Sequence, residues 1–87
     1  MKIKDGFLLK EVAGNNIIVP IGDNLVDFSA MITVNETGAF LWKLLQNGAE
    51  VDELVTAMTG EFEVSVEVAK NDIIDFINVL KDKGILE

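Results

Sequence analysis

Hydrophobic residues alternate with polar ones in the first third of the chain and recur every three or four positions in the rest. The alternation and the β-branched content predict three extended strands over residues 7–13, 17–19 and 25–34. Gly and Asn cluster at residues 14–16 and 21–24, where we expect the two turns. Pro20 is expected to close the second strand, because proline cannot donate a hydrogen bond to a sheet.

Three amphipathic helices are predicted after residue 35. The first covers residues 36–46 and follows Asn35, a residue type that favours the N-cap position. The second covers residues 50–58, with Val51, Leu54, Val55 and Met58 at positions i, i+3, i+4 and i+7. The third begins after Ser65 and runs to Asp82. Gly48 and Gly84 suit the left-handed position that ends many helices.

These elements indicate an α+β fold, with a three-stranded antiparallel sheet followed by three helices. The helices are expected to cover one side of the sheet, because neither layer can bury its apolar face alone. The second and third helices also have the outline of a winged helix-turn-helix. Residues 1–87 are expected to form a single domain.

The composition argues against catalysis by the chain itself. It contains no histidine, cysteine, tyrosine or arginine, and therefore lacks the usual general base, thiolate nucleophile and bidentate phosphate ligand. We expect no enzymatic activity, no metal and no cofactor. No window approaches the ~20 apolar residues of a membrane span, and the first residues do not form a secretory signal. A cytoplasmic protein without membrane contact is the prediction.

The charge of the chain makes nucleic acid an unfavourable partner. Fifteen acidic residues against seven lysines give a net charge of −8. The approach to the third helix, which would be the recognition helix, carries Glu61, Glu63 and Glu67 against a single Lys70. A winged-helix regulator is the weaker alternative, together with a dimerisation module that forms a homodimer.

The third predicted strand is the strongest candidate for a binding surface. As the last strand of a meander it lies at a sheet edge, where unpaired N–H and C=O groups can accept an extended peptide. Asp27 is the only charged residue between positions 25 and 34, which contain no proline, so this edge has little protection. The alternative is that a loop or a helix covers it.

Two flanks of the third helix and one aromatic residue complete the candidates. One flank holds Lys70, Ile74 and Lys81, which would suit a peptide with acidic and apolar side chains. The other flank holds Val68, Asp72 and Val79. Trp42 lies away from the main apolar face of the first helix, so this helix is expected to be buried on two sides. The alternative is that Trp42 is an exposed apolar anchor for a partner protein.

The sequence resembles the coenzyme PQQ synthesis protein D family. The resemblance is carried by residues 34–42, which read VNETGAFLW at the strand-to-helix junction. It continues through VDEL at 51–54, DIIDFI at 72–77 and KGIL at 83–86.

The resemblance implies a protein that recognises the leader segment of a ribosomally synthesised precursor peptide. It implies three strands and three helices, with the leader added beside the third strand in the cleft against the third helix. The domain would present its peptide to a maturation enzyme, often a radical S-adenosylmethionine enzyme. By this analogy the peptide-binding residues are Asp27, Phe28, Ser29, Met31, Thr33, Lys70, Ile74 and Ile77. The leading hypothesis is therefore a non-catalytic adaptor.

Overall fold

The computed structural model describes residues 1–21 and 31–87, and its elements follow the predicted order. The strands are β1 (Phe7–Val12), β2 (Asn15–Pro20) and β3 (Ile32–Val34), and the helices are α1 (Glu36–Gln46), α2 (Val51–Glu61) and α3 (Val66–Asp82). The predicted fold class is confirmed: a three-stranded antiparallel sheet precedes three helices.

The sheet has the order β1-β2-β3, with Leu9 opposite Ile18 and Ile17 opposite Thr33. The turn between β1 and β2 lies earlier than predicted, at Ala13 and Gly14, where φ is 52° and 83°. A two-residue hairpin with positive φ at both positions matches the twist of the flanking strands. Residues 15 and 16, which were expected to form the turn, therefore belong to β2.

The described part of the third extended stretch is shorter than predicted. β3 covers Ile32–Val34, and Met31 lies just before it. The remainder of the predicted strand, and most of the predicted turn at 21–24, lie outside the described residues. Pro20 is the last residue of β2, as predicted.

The caps of α1 and α3 are those that the sequence predicts. The Asn35 side chain accepts a hydrogen bond from the Gly38 N–H at 2.9 Å, and the Ser65 hydroxyl accepts one from the Val68 N–H at 3.2 Å. Gly48 and Gly84 both have positive φ, at 86° and 70°. A side-chain cap thus sets the start of both helices, and a glycine with positive φ follows the end of each.

The predicted bounds of α2 were wrong at both ends. Glu50 is the N-cap of this helix, in a reciprocal capping box with Glu53, and the helix continues to Glu61. Gly60 does not end it, because an exposed glycine weakens a helix by only about 1 kcal/mol. The end comes at Phe62, whose ring packs edge-on against Phe40 with the centroids 5.3 Å apart.

The core lies between the inner face of the sheet and the three helices. Its fully buried large side chains are Ile18, Leu41, Trp42, Leu45, Leu54, Met58, Ile73, Leu80 and Ile85. Trp42 is 0% exposed, which confirms its predicted burial and excludes it as an exposed anchor. Among the described residues, its indole Nε1 is a buried polar side-chain atom without a hydrogen-bond partner.

The two ends of the chain pair with each other and with the end of α1. Ile3 forms an antiparallel bridge with Leu86, and its N–H donates to the Leu45 carbonyl at 3.2 Å. The Lys4 N–H donates to the Ile85 carbonyl at 2.8 Å. Because Ile85 and Leu86 lie a few residues after α3, these bonds link the end of α1 to the segment that follows α3.

Candidate functional site

The edge of β3 is the first feature of the candidate site. β3 pairs with β2 on one side, and no strand in the described part of the chain pairs with its other side. Ile32 and Val34 pack against the core, whereas the Thr33 side chain between them is exposed. Since the backbone N–H and C=O groups of a strand point alternately to its two sides, some of these groups face outward from β3.

A groove runs beside this edge, between β3 and α3. Its first half is a cleft of about 420 Å³ lined by Ile32, Thr33, Val34, Asn35, Phe76 and Val79. The cleft is predominantly apolar: Phe76 is half-buried and Val79 is 43% exposed. We call these residues, with those of the adjoining second half described next, the β3–α3 groove.

The second half of the groove lies where β3 passes into α1. It is a cleft of about 270 Å³ that shares Asn35, Phe76 and Val79 with the first half. Its remaining lining residues are Thr37, Gly38, Leu41, Asp72 and Asp75. The two halves differ in charge. Among the described residues that line the groove, Asp72 and Asp75 carry the ionisable side chains, and both line the second half.

Gly38 allows the three elements around the groove to approach closely. A Cβ atom at this position would lie 3.0 Å from the Val34 Cβ and 3.4 Å from the Phe76 Cε1. It would also lie 3.3 Å from the Asn35 Oδ1 that caps α1. The absence of a side chain here therefore determines how tightly α1 packs against β3 and α3.

Asn35 connects the strand to the helix and holds the groove wall in place. Its extended backbone, with φ −81° and ψ −177°, continues β3, while its side chain caps α1. The same Oδ1 accepts hydrogen bonds from the Gly38 N–H and from the Thr37 hydroxyl, both at 2.9 Å. The Asn35 side chain thereby binds both the Thr37 hydroxyl and the Gly38 N–H at the start of α1.

The predicted site residues fall into three groups. Asp27, Phe28 and Ser29 lie outside the described residues. Thr33 lines the groove, and Met31 is 45% exposed directly before β3. Lys70 and Ile74 are exposed but do not line the groove, and Ile77 is 5% exposed within the core.

The structure distinguishes the two flanks of α3. At 100° per residue, Lys70 and Ile74 lie on one side of the buried stripe of the helix, and Asp72 and Val79 lie on the other. Of the second flank, Asp72 and Val79 line the groove beside β3, and Val68 does not. Contacts of Lys70, Ile74 and Ile77 with a bound peptide therefore remain a prediction.

On α3, Phe76 and Asp75 are the groove residues that sequence reasoning missed. Phe76 shares the apolar stripe of α3 and therefore reads as a core residue, although it lies at the margin of that stripe. Its position between Asp72 and Val79 on the helix surface was the available signal.

A second, larger depression of about 500 Å³ is less suited to bind a peptide. It is lined by residues from both ends of the chain and by Glu50, and the Met1 ammonium already pairs with Glu50 at 3.1 Å. It has no exposed strand edge among its lining residues. The groove beside β3 combines apolar surface, charge and outward-facing main-chain groups.

The described residues of the groove offer groups that suit binding. They contain no cluster of three acidic side chains that would hold a metal ion. None of the described helices combines the length and the apolar character needed to span a membrane. What the groove offers is hydrogen-bonding main chain, apolar surface and two carboxylates, which together suit an extended peptide.

Comparison with known proteins identifies a matching family model and similar solved structures. The family model described as coenzyme PQQ synthesis protein D matches residues 17–86. The chain is similar to the solved structure of TbiB1 in complex with the TbiA(beta) leader peptide, at 25% identity and a TM-score of 0.78 over 100% of this chain and 95% of that chain. The fold is also that of lasso peptide synthetase B1 complexed with the leader peptide, at 18% identity and a TM-score of 0.74 over 97% and 93% of the two chains. No curated protein sequence matches the chain significantly.

Proposed function

The chain belongs to the coenzyme PQQ synthesis protein D family, and from this membership we propose that it is a non-catalytic adaptor for a precursor peptide. It binds the leader segment of a ribosomally synthesised peptide as an added strand along β3. The observation that carries the proposal is the outward edge of β3 beside the β3–α3 groove. The likeness to TbiB1, whose structure holds a leader peptide, supports a leader peptide as the ligand.

Strand addition explains how a short strand suffices for recognition. The main-chain groups of β3 provide hydrogen bonds to a peptide of almost any sequence, and side-chain pockets in the groove fix its register. Alternate side chains of an added strand would point toward α3, where Phe76 and Val79 offer apolar contacts. The peptide's other side chains would lie on the outer face, beside Thr33.

The bound peptide is then presented to a maturation enzyme, in our proposal a radical S-adenosylmethionine enzyme or another enzyme that modifies peptides. Binding by the adaptor would raise the effective concentration of the substrate near that enzyme. Nucleic acid is a poor ligand for the same chain. Glu61, Glu63 and Glu67 are exposed at the approach to α3, where a recognition helix would meet phosphates.

A proline in β3 tests the proposal on the protein side. Thr33→Pro removes one N–H from a three-residue strand, and we expect it to weaken peptide binding about tenfold or more. The probe is a peptide selected on the wild-type protein from a library of random displayed peptides, with affinity measured by calorimetry. Val66→Pro is the matched control, because proline is favoured at the first position of a helix and Ser65 before it is already extended.

The peptide side provides a test that does not depend on how Thr33→Pro folds. N-methylation of successive peptide amides should abolish binding at every second position, because alternate amides face β3. Uniform tolerance of N-methylation would overturn strand addition. A peptide bound through side chains alone would behave in that way.

A further inference from the structure

The charge of the β3–α3 groove specifies its ligand further. Resting on the proposed function, we infer that the bound peptide carries a lysine or arginine held against Asp72 and Asp75, an even number of positions from an apolar residue held against Phe76 and Val79.

The two halves of the groove differ in chemistry, so each half favours a different kind of peptide side chain. The half beside β3 is lined by Ile32, Val34, Phe76 and Val79, so it favours an apolar side chain. The half beside the start of α1 adds Asp72 and Asp75, so it favours a cation.

The two carboxylates have no cation of their own in the described part of the chain. No ion pair there involves Asp72 or Asp75, and no lysine lies three or four residues from either along α3. The two aspartates are themselves three residues apart, so they are neighbours on the helix surface and repel each other. A ligand cation would remove this repulsion while forming its own charge-assisted hydrogen bonds.

The start of α1 does not cancel this negative charge. A helix N-terminus attracts anions through its free N–H groups. Here the Gly38 N–H is bonded to the Asn35 side chain, and Glu36 adds a carboxylate to the first turn. The acidic half of the groove therefore favours a positively charged ligand group.

The geometry of an added strand determines the spacing. Side chains that face α3 occur at every second residue of the peptide, about 7 Å apart. Asp72 and Val79 are seven residues apart on α3, which corresponds to roughly 10 Å along the helix. In an added strand that runs along α3, this distance corresponds to two or four positions between the cation and the apolar residue. A cation N-terminal to the apolar residue would indicate a peptide antiparallel to β3, because the acidic half lies at the C-terminal end of that strand.

Selection from a library of random 12-residue displayed peptides tests this inference directly. We expect the peptides enriched on the wild-type protein to share a lysine or arginine at a fixed even spacing from an apolar residue. The double variant Asp72→Asn/Asp75→Asn should bind these peptides about threefold to tenfold more weakly and should lose the enrichment. The control Asp52→Asn/Glu53→Gln makes the same charge change on α2, away from the groove. It should keep both the affinity for these peptides and their enrichment.

The possible results separate the inference from the function on which it rests. Enriched peptides without a cation, whose binding still depends on β3, would overturn the inference and leave the adaptor function standing. An equal loss of affinity in both double variants would also overturn it, since the net charge of −8 alone would then attract basic peptides. Failure to enrich any peptide would count against the adaptor function itself and the inference with it.

Discussion

At the scale of single residues, the groove depends on Gly38, which has no side chain. Gly38 is buried at the third position of α1, within contact distance of β3 and α3 for any added atom. Alanine normally stabilises a helix relative to glycine, because it restricts the unfolded chain and exposes less backbone. Here the gain is opposed by the contact of a new Cβ atom with Val34 at 3.0 Å.

Gly38→Ala is therefore expected to lower the free energy of unfolding by about 1 kcal/mol, since overpacking of 1–3 kcal/mol exceeds the gain in helix propensity. Denaturant unfolding followed by the fluorescence of Trp42, the single tryptophan, measures it. Gly60→Ala is the matched control, because a Cβ atom there meets no other atom within 4 Å. It should raise stability by about 0.5–1 kcal/mol. Stabilisation of equal size in both variants would mean that Gly38 does not set the approach of the three elements.

At the scale of secondary-structure elements, the two capped helices have different relations to the groove. Asn35 and Ser65 each satisfy one backbone N–H at the start of a helix. Asn35 also lines both halves of the groove, whereas Ser65 lines neither. The same type of substitution at the two caps thus separates stability from binding.

Asn35→Ala and Ser65→Ala should each lower the free energy of unfolding by about 1 kcal/mol, the usual contribution of an N-cap side chain. Only Asn35→Ala should weaken binding of a library-selected peptide, by about threefold or more, because the junction between β3 and α1 loses its anchor. Thermal unfolding and calorimetric titration measure the two quantities. An equal effect of both variants on affinity would contradict the assigned position of the site.

The sequence predicts these elements well where short-range chemistry sets their limits. Asn35, Ser65 and Gly84 mark helix ends through their own side chains or their own φ, and α1 and α3 have the predicted bounds. The predicted end of α2 at residue 58 was wrong, because the helix continues through Gly60, and a single exposed glycine near a helix end is tolerated.

The choice between the two flanks of α3 required tertiary structure. A helical wheel shows that Lys70 and Asp72 lie on opposite sides of the apolar stripe. Which side faces β3 depends on how α3 packs against the sheet and α1, and no local pattern encodes that packing. The position of Phe76 in the groove depends on the same packing, because its place at the margin of the apolar stripe is also typical of a core residue.

At the scale of the whole molecule, the sheet formed by the described residues has two edges, and β3 suits a peptide better than β1 does. β1 is the longer edge strand, but its residues Lys10 and Glu11 are charged and exposed, as in edges protected against pairing. β3 has no charged residue and borders the groove. These differences favour β3 over β1 as the edge for the proposed added strand.

Amide hydrogen exchange, measured by NMR with and without a saturating library-selected peptide, tests the central claim most directly. The outward-facing amides within Ile32–Val34 should exchange at least about tenfold more slowly in the complex, because each gains a hydrogen-bond acceptor. Those of Phe7–Val12 should keep their rates. Protection of the β1 edge instead, or a bound peptide that leaves the β3 amides unchanged, would contradict the account.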